Sequence, residues 1–351
     1  MDITYFDVVR NSGVPHFETP MGIGSVELMA RRAVQLGAGV PQVLQASKIA
    51  PRSLTDMAAA ITPNQEFVVI RNLVRTFRSK PGIGVDIGSR YHAAMHGSLG
   101  AAMLTSPNLA HSLQVIADNL HLVWGFMPFD VVERGDSTVF RMSADDVPDD
   151  ARAFMVERNA AAARSMMSDA AGFDVPLTAV RFRHRVPAGD LSTYVDILGV
   201  EPIFGAVEDS IAFATRYAGM PARQANSAAH QGFVVLCRDL AKRQVTRAGV
   251  AGQVRALLSR DLQTGGGSAA AVAAHLGVSE RTLARRLDEE GTSFRALVDE
   301  VRQHVAKHLL TGGMATTQVA RKLGYADSPA FIRAFKRWTG VTPQSFAPAA
   351  A

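Results

Sequence analysis

The chain contains a single cysteine, Cys237, among its 351 residues. One thiol cannot form an internal disulfide, and it cannot build a cysteine-based zinc cluster. No apolar run approaches the roughly 18 residues that a membrane-spanning helix needs. The first residues, MDITYFDVVR, also lack the basic stretch that opens a secretory signal. These absences predict a cytoplasmic protein that does not enter a membrane.

Motifs of enzymes and cofactor sites are also missing. The stretch GIGVDIG at 82–88 has one residue more than a dinucleotide fingerprint before its last glycine, and it follows a proline rather than a strand. TGGGS at 264–268 lacks the Lys-Ser/Thr pair of a phosphate-binding loop. His92 and His96 share helical spacing but have no third metal ligand. We therefore predict no catalytic residues, no metal, no cofactor and no enzymatic activity.

Positive charge is concentrated at one end of the chain. Residues 1–248 hold 24 Lys+Arg and 24 Asp+Glu, whereas residues 249–351 hold 13 and 8. The whole net charge of +5 therefore belongs to the last hundred residues. A basic module attached to a neutral body indicates a polyanionic partner for that module only.

Hydrophobic periodicity separates the same two parts. Helical spacing predicts helices over 25–37 and 99–125, and two β-favouring runs around Gly135-Asp136 predict a hairpin. From about residue 223 only helical patterns follow. We predict a mixed α/β domain over 1–228, a linker helix over 229–247 and an all-α domain over 248–351.

The segment NLHLVWGFMPF, at 119–129, is rich in aromatic and methionine side chains. Such side chains line apolar ligand pockets, although they also form ordinary cores. The candidate pocket residues in this segment are His121, Trp124, Phe126 and Met127.

The C-terminal part contains an internal repeat. VAAHLGVSERTLARRLDEEG, from Val272, aligns with VARKLGYADSPAFIRAFKRWTG, from Val319, and the second copy is one residue longer in its turn. Each copy has a short apolar helix, a glycine turn, a serine that we expect to cap the next helix (Ser279 or Ser328) and a second helix.

This pattern predicts two helix-turn-helix modules. Between them, SFRALVDEVRQHVAKHLL carries one continuous apolar stripe, so we expect a single long helix that joins the modules. Two recognition helices held by one spacer would enter successive major grooves, about 34 Å apart. The alternative is a purely structural helical bundle with a solvated basic face.

The two repeated stretches, above all VARKLGYADSPAFIRAFKRWTGVTPQSF, resemble the AraC/XylS family of transcription regulators. PGIGVDIGSRYHAAMHGSLGAAMLTSPNLAHSLQVI, at 81–116, is similar to the ligand-binding domain of the branch that includes ornithine-utilisation and mycobacterial virulence regulators. The resemblance implies a DNA-binding module of seven helices whose third and sixth helices read DNA.

The resemblance also implies which residues face DNA. The predicted contacts on and beside the two recognition helices are Ser279, Arg281, Thr282, Arg285, Arg286, Thr316, Ser328, Ala330, Arg333, Lys336 and Arg337.

The function expected from these observations is a sequence-specific transcription regulator that a small molecule controls through the N-terminal domain, and the aromatic and methionine side chains of 119–129 favour an apolar molecule. Promoter DNA and RNA polymerase are the expected partners, and self-association as a homodimer is expected of this branch. Two alternatives stay open: a regulator controlled by a protein partner without an effector, and an enzyme domain fused to a DNA-binding module.

Overall fold

The computed structural model describes residues 9–10, 21–56, 59–122, 127–247, 249–261, 267–311 and 314–346. The chain divides into an N-terminal unit that runs to Ala241 and a C-terminal unit that begins at Lys242. Each unit has its own hydrophobic core. Within the described ranges, no helix is long and apolar enough to cross a bilayer.

The N-terminal unit is built around a six-stranded sheet with the strand order β1-β4-β5-β8-β6-β7. All neighbouring strands are antiparallel except β6 and β7. A separate pair, β2 with β3, is antiparallel. The strands are β1 (Val9–Arg10), β2 (Met21–Gly22), β3 (Ala60–Ile61), β4 (Phe129–Arg134), β5 (Ser137–Met142), β6 (Leu177–Phe182), β7 (Ile203–Phe204) and β8 (Asp209–Ala214).

Helices accompany this sheet, and α7, the longest of those described, packs against β6 and β8. The helices are α1 (Gly24–Gln35), α2 (Val40–Val43), α3 (Pro63–Thr76), α4 (Ile83–Gly88), α5 (Gly97–Leu104), α6 (Leu109–Asp118), α7 (Asp149–Ala171), α8 (Ser192–Leu198) and α9 (Ser227–Arg247). Short 3-10 turns cover Pro51–Thr55, Ala93–His96, Leu120–Leu122 and Thr215–Tyr217. The predicted mixed α/β class is confirmed.

The C-terminal unit is helical throughout its described residues. Its helices are α10 (Gly249–Asp261), α11 (Ala269–His275), α12 (Glu280–Glu289), α13 (Phe294–Thr311), α14 (Thr316–Lys322), α15 (Ser328–Thr339) and α16 (Pro343–Phe346). The helix α9 crosses the boundary between the two units.

The hairpin predicted around Gly135-Asp136 is confirmed as β4 and β5. The single helix predicted over 99–125 is wrong, because the chain breaks between α5 and α6. Pro107 follows α5 and has no backbone N–H to continue it. Asn108 then starts the next helix, and its side chain accepts a hydrogen bond from the backbone N–H of His111 at 3.0 Å.

Two glycines allow α4 to lie directly against α7. A Cβ atom added to Gly84 would stand 2.8 Å from the Phe154 carbonyl oxygen, and one added to Gly88 would stand 2.2 Å from the Arg158 carbonyl oxygen. Both oxygens belong to the backbone of α7, so no side-chain movement could relieve the clash. Gly84 and Gly88 of GIGVDIG therefore permit the close approach of two helices.

An ion pair is buried completely in this unit. The Nη1 atom of Arg158 lies 2.8 Å from the Oε1 atom of Glu66, and both side chains are at most 1% exposed. The Ser25 hydroxyl donates to the same carboxylate and lies 2.8 Å from the Tyr91 hydroxyl. Losing one member of such a pair is costly because its partner would stay buried and charged. The cluster thus fixes α1, α3 and α7 to one another.

A second buried carboxyl group, Glu157, precedes Arg158 on α7 and faces α4 and α8 instead. Burial raises the pKa of Glu157 to about 7, although hydrogen bonds from the Tyr194 hydroxyl and the Gly84 backbone N–H oppose the shift. The Nε2 atom of His184 lies 3.4 Å from the same carboxyl oxygen. Glu157 therefore changes its charge within the physiological range of pH.

Replacing Gly88 by alanine should disrupt the contact between α4 and α7. We expect Gly88→Ala to cost about 3 kcal/mol, because the new methyl group would overlap the Arg158 carbonyl oxygen. Thermal unfolding of the full chain measures the loss. Gly232→Ala in α9 is the matched control, since a Cβ there meets open space, and better helix propensity should make it neutral or slightly stabilising. Equal melting temperatures for the two variants would contradict the close approach.

The titration of Glu157 should make stability depend on pH. The folded chain holds this proton up to about pH 7, whereas the ordinary pKa of the group is 4.5. Stability should therefore fall by about 3 kcal/mol as pH rises from about 4.5 to 7 and then level off. Urea unfolding across this range should show the fall in the wild-type chain and lose it in Glu157→Gln. The same change at the exposed Glu201 should keep the wild-type profile, and identical slopes for all three proteins would refute the assignment.

Candidate functional site

The first repeated segment folds as a helix-turn-helix formed by α11 and α12. Gly277 turns the chain with a positive φ of 67°, a conformation that glycine adopts without a steric penalty. The Ser279 hydroxyl caps α12 by accepting a hydrogen bond from the Thr282 backbone N–H at 3.1 Å. Leu283 and Leu287 then bury the inner face of α12.

The second segment repeats this arrangement in α14 and α15, with a correction at the cap. Asp327, not Ser328, caps α15, and its Oδ1 atom accepts from the Ala330 backbone N–H at 2.7 Å. Ser328 is the first helical residue. The longer turn is the reason, because the offset of 48 that aligns Leu283 with Phe331 also aligns Ser279 with Asp327.

Both recognition helices turn their cations away from the core. The exposed candidates are Arg281, Arg285, Arg286, Arg333, Lys336 and Arg337. On the opposite face of α15, Phe331 and Phe335 are fully buried and their ring centroids lie 5.7 Å apart. Thr282, Thr316, Ser328 and Ala330 are partly buried at the edges of the two modules.

The two helices differ in their balance of charge. The sequence of α12, ERTLARRLDE, carries three arginines and three acidic residues, whereas SPAFIRAFKRWT in α15 carries three cations and no acidic residue. Arg285 forms an exposed ion pair with Glu289 on its own helix. Arg337 lies 3.3 Å from Asp299 of α13. An anion that approaches either arginine must therefore compete with a carboxylate.

The long spacer helix predicted between the modules is confirmed as α13. Leu297, Val301 and Val305 form its buried stripe, in the same core that contains Leu287 and Phe335 from the recognition helices. Glu290, which follows α12, also connects the first module to α10: its carboxylate accepts hydrogen bonds from two backbone N–H groups at the start of α10, each at 2.8 Å. One core thus holds both modules.

The N-terminal unit contains a cavity of about 80 Å³ bordered by α6, α7, β4 and β5. Met127 lines it, together with Phe129, Phe140 and Met167. Of the other pocket candidates, Trp124 and Phe126 lie outside the described residues, as does the side chain of His121.

Sequence reasoning missed most of this cavity. Met166, Met167 and Asn159 come from α7 and Tyr91 from the loop after α4, so the lining is spread over segments that are distant in sequence. No local pattern joins them. Across the described residues, no group of three or more histidine, cysteine or acidic side chains is arranged to hold a metal ion.

Two helix-turn-helix modules with cationic outer faces, joined to an α/β unit that contains a cavity, define a DNA-binding transcription regulator. Comparison with protein families agrees: residues 37–222 match the arabinose-binding N-terminal domain of AraC transcription regulators, and residues 272–348 match a helix-turn-helix domain. The chain belongs to the AraC family.

Relatives of the chain are regulators of the same kind. It is 30% identical over 339 residues to an uncharacterised HTH-type transcriptional regulator of Mycobacterium tuberculosis, covering 95% of this chain and 97% of the relative. It is 28% identical to the ornithine utilization regulator of Pseudomonas aeruginosa over 76% of this chain and 78% of that one. It is 32% identical to VirS of Mycobacterium tuberculosis over 47% and 48%, respectively. These matches confirm the branch expected from the sequence.

The cap at Asp327 generates a test of the corrected helix start. We expect Asp327→Ala to destabilise the C-terminal unit by about 1 kcal/mol, because the Ala330 N–H would lose its acceptor. Asp327→Asn keeps a capping oxygen and should be nearly neutral, which separates capping from charge. Thermal unfolding of both variants and of Ser328→Ala measures the effect. A larger loss for Ser328→Ala than for Asp327→Ala would show that serine is the cap.

Proposed function

We propose that this AraC-family regulator binds promoter DNA through both recognition helices and responds to a small effector held in the N-terminal unit. The observation that supports DNA reading best is the repeated module, whose exposed arginines stand on helices that an apolar core holds in place. An α-helix fits the major groove, where arginine donates two hydrogen bonds to guanine.

The proposed contacts divide between bases and phosphates. Arg333 is exposed in the middle of α15, closer than Lys336 and Arg337 to the N-terminal end that points at bases in helix-turn-helix proteins. Lys336 and Arg337 lie in its last turn and suit phosphate neutralisation. In the first module, Arg281 stands at the start of α12, where it would contact bases, and Arg286 lies in the last turn, where it would neutralise a phosphate. Binding should consequently weaken strongly with salt, since each phosphate contact releases counterions.

Effector control would require the ligand-bound and ligand-free proteins to favour different arrangements of the domains. A ligand that binds both arrangements equally well does not change their populations. The apolar cavity of the N-terminal unit supports this part of the proposal. The protein would act in the cytoplasm, as a homodimer and together with RNA polymerase, and would have no catalytic activity of its own. Control by a protein partner instead of an effector is the second candidate.

Replacing Arg333 should separate base reading from phosphate binding. We expect Arg333→Ala to weaken binding to a preferred site by about 1–3 kcal/mol, a loss of roughly 5- to 150-fold. The site is first selected from a random DNA pool with the full chain, and binding is then followed by fluorescence anisotropy. Affinity for unselected DNA should change far less.

Arg52→Ala, at an exposed position of the N-terminal unit, is the matched loss of a positive charge and should leave both affinities unchanged. Equal weakening of Arg333→Ala on selected and unselected DNA would assign this side chain to a phosphate. Failure of the wild-type chain to enrich any sequence would overturn sequence-specific binding itself.

A further inference from the structure

The walls of the cavity in the N-terminal unit are almost entirely apolar. Of the fourteen lining residues that the structure describes, eleven are aliphatic, aromatic or methionine, and four of these are methionines: Met127, Met142, Met166 and Met167. Among the described residues that line it, none carries a full charge. A ligand in this space would meet hydrocarbon and thioether groups over most of its surface.

The other described lining residues are polar: Tyr91, His96 and Asn159. Burial lowers the pKa of His96 to about 4, so its imidazole is neutral at physiological pH. Burial also raises the pKa of Tyr91, so its hydroxyl keeps its proton. These groups offer neutral donors and acceptors to a ligand but no charge to match an ionised one.

The charged pair that lies beside Tyr91 in this lining is already neutralised within itself. The Arg158 guanidinium lies 5.7 Å from the centre of the Tyr91 ring, and its Nη1 atom is paired with Glu66 at 2.8 Å. A carboxylate or an ammonium group entering the cavity would lose its hydration without gaining an unneutralised partner. An uncompensated buried charge is among the most costly groups in a protein interior.

A sugar suits the cavity no better, although the matching family model is described as arabinose-binding. A pentose carries hydroxyl groups on nearly every carbon, and each would need a hydrogen-bond partner once buried. The three polar side chains belong to the loop and turn after α4 and to one turn of α7, so hydroxyl groups elsewhere on the sugar would face hydrocarbon.

Size limits the ligand further. The cavity measures about 80 Å³, and an engineered apolar cavity of about 150 Å³ binds benzene. A ligand as large as a substituted benzene would therefore have to displace side chains. Methionine is unbranched and adapts its shape at little cost, so the four methionines can make this room.

We infer that the cavity binds a small uncharged molecule with an apolar body and a single hydrogen-bonding group, such as an alcohol, a phenol or a ketone. This inference rests on the proposed effector control and specifies its ligand class. The apolar body would lie among the methionines, and the polar group would face Tyr91, His96 and Asn159.

An isosteric pair of fluorinated probes tests the inference on the full chain. 4-Fluorobenzyl alcohol is neutral, whereas 4-fluorobenzoate is an anion of nearly the same shape. We expect saturable broadening of the alcohol's ¹⁹F NMR signal, at least tenfold weaker binding of the benzoate, and no competition by L-arabinose. Ala163→Leu places a larger side chain in the lining and should abolish the broadening. Ala153→Leu, on α7 but outside the lining, is the control and should bind like the wild-type chain.

Equal binding of the benzoate, competition by arabinose, or unchanged binding in Ala163→Leu would overturn the inference. So would the absence of broadening by the alcohol in the folded chain. Ala162→Val is a milder filling variant, to be used if Ala163→Leu fails to fold. Measuring DNA affinity with and without the alcohol separates the two proposals: binding without any change in DNA affinity would support the ligand class and refute effector control.

Discussion

The N-terminal unit depends on the contact between α4 and α7, where two glycines bring the helix backbones together. Without side chains at Gly84 and Gly88, the carbonyl oxygens of α7 lie where a Cβ would otherwise stand. The same helix α7 supplies Arg158 to the buried ion pair, Glu157 to the second polar cluster and Asn159 to the cavity. Three consecutive residues thus serve three different environments, which is possible because successive side chains point about 100° apart around a helix.

This arrangement places the cavity beside a rigid polar cluster. The side facing Tyr91 is fixed, since this residue belongs to the network of Ser25, Glu66 and Arg158. The opposite walls consist largely of adaptable methionine and aromatic side chains. A ligand would therefore be oriented at its polar end and accommodated at its apolar end.

Much of the architecture could be predicted from the sequence, and the exceptions have physical reasons. The C-terminal modules were predictable because Leu283, Leu287, Phe331 and Phe335 repeat at helical spacing after a glycine turn. Ser328 is predicted as the cap of α15 because serine is a common capping residue, whereas the alignment of the two repeats points to Asp327, one residue earlier. The single helix predicted over 99–125 is wrong because Pro107 interrupts it.

The cavity could not be predicted in the same way. Met127 was found because its segment is rich in aromatic and methionine side chains, but Tyr91, His96 and Asn159 come together only through the packing of α7. The role of the glycines in α4 was likewise hidden, because a close approach of two backbones leaves no periodic signal. The predicted DNA contacts and pocket residues stay predictions. Their arginines are exposed in both modules, on α12 in the first and on α15 in the second.

The spacer helix α13 shares one core with both recognition helices, so the modules cannot adjust their separation independently. If both helices enter the groove, a single extra base pair between their subsites would rotate one of them by about a tenth of a turn and move it along the axis by about 3.4 Å. The protein cannot absorb such a shift without breaking its core, which leaves only deformation of the DNA. Promoters recognised by this regulator should consequently tolerate base changes between the subsites far better than insertions or deletions.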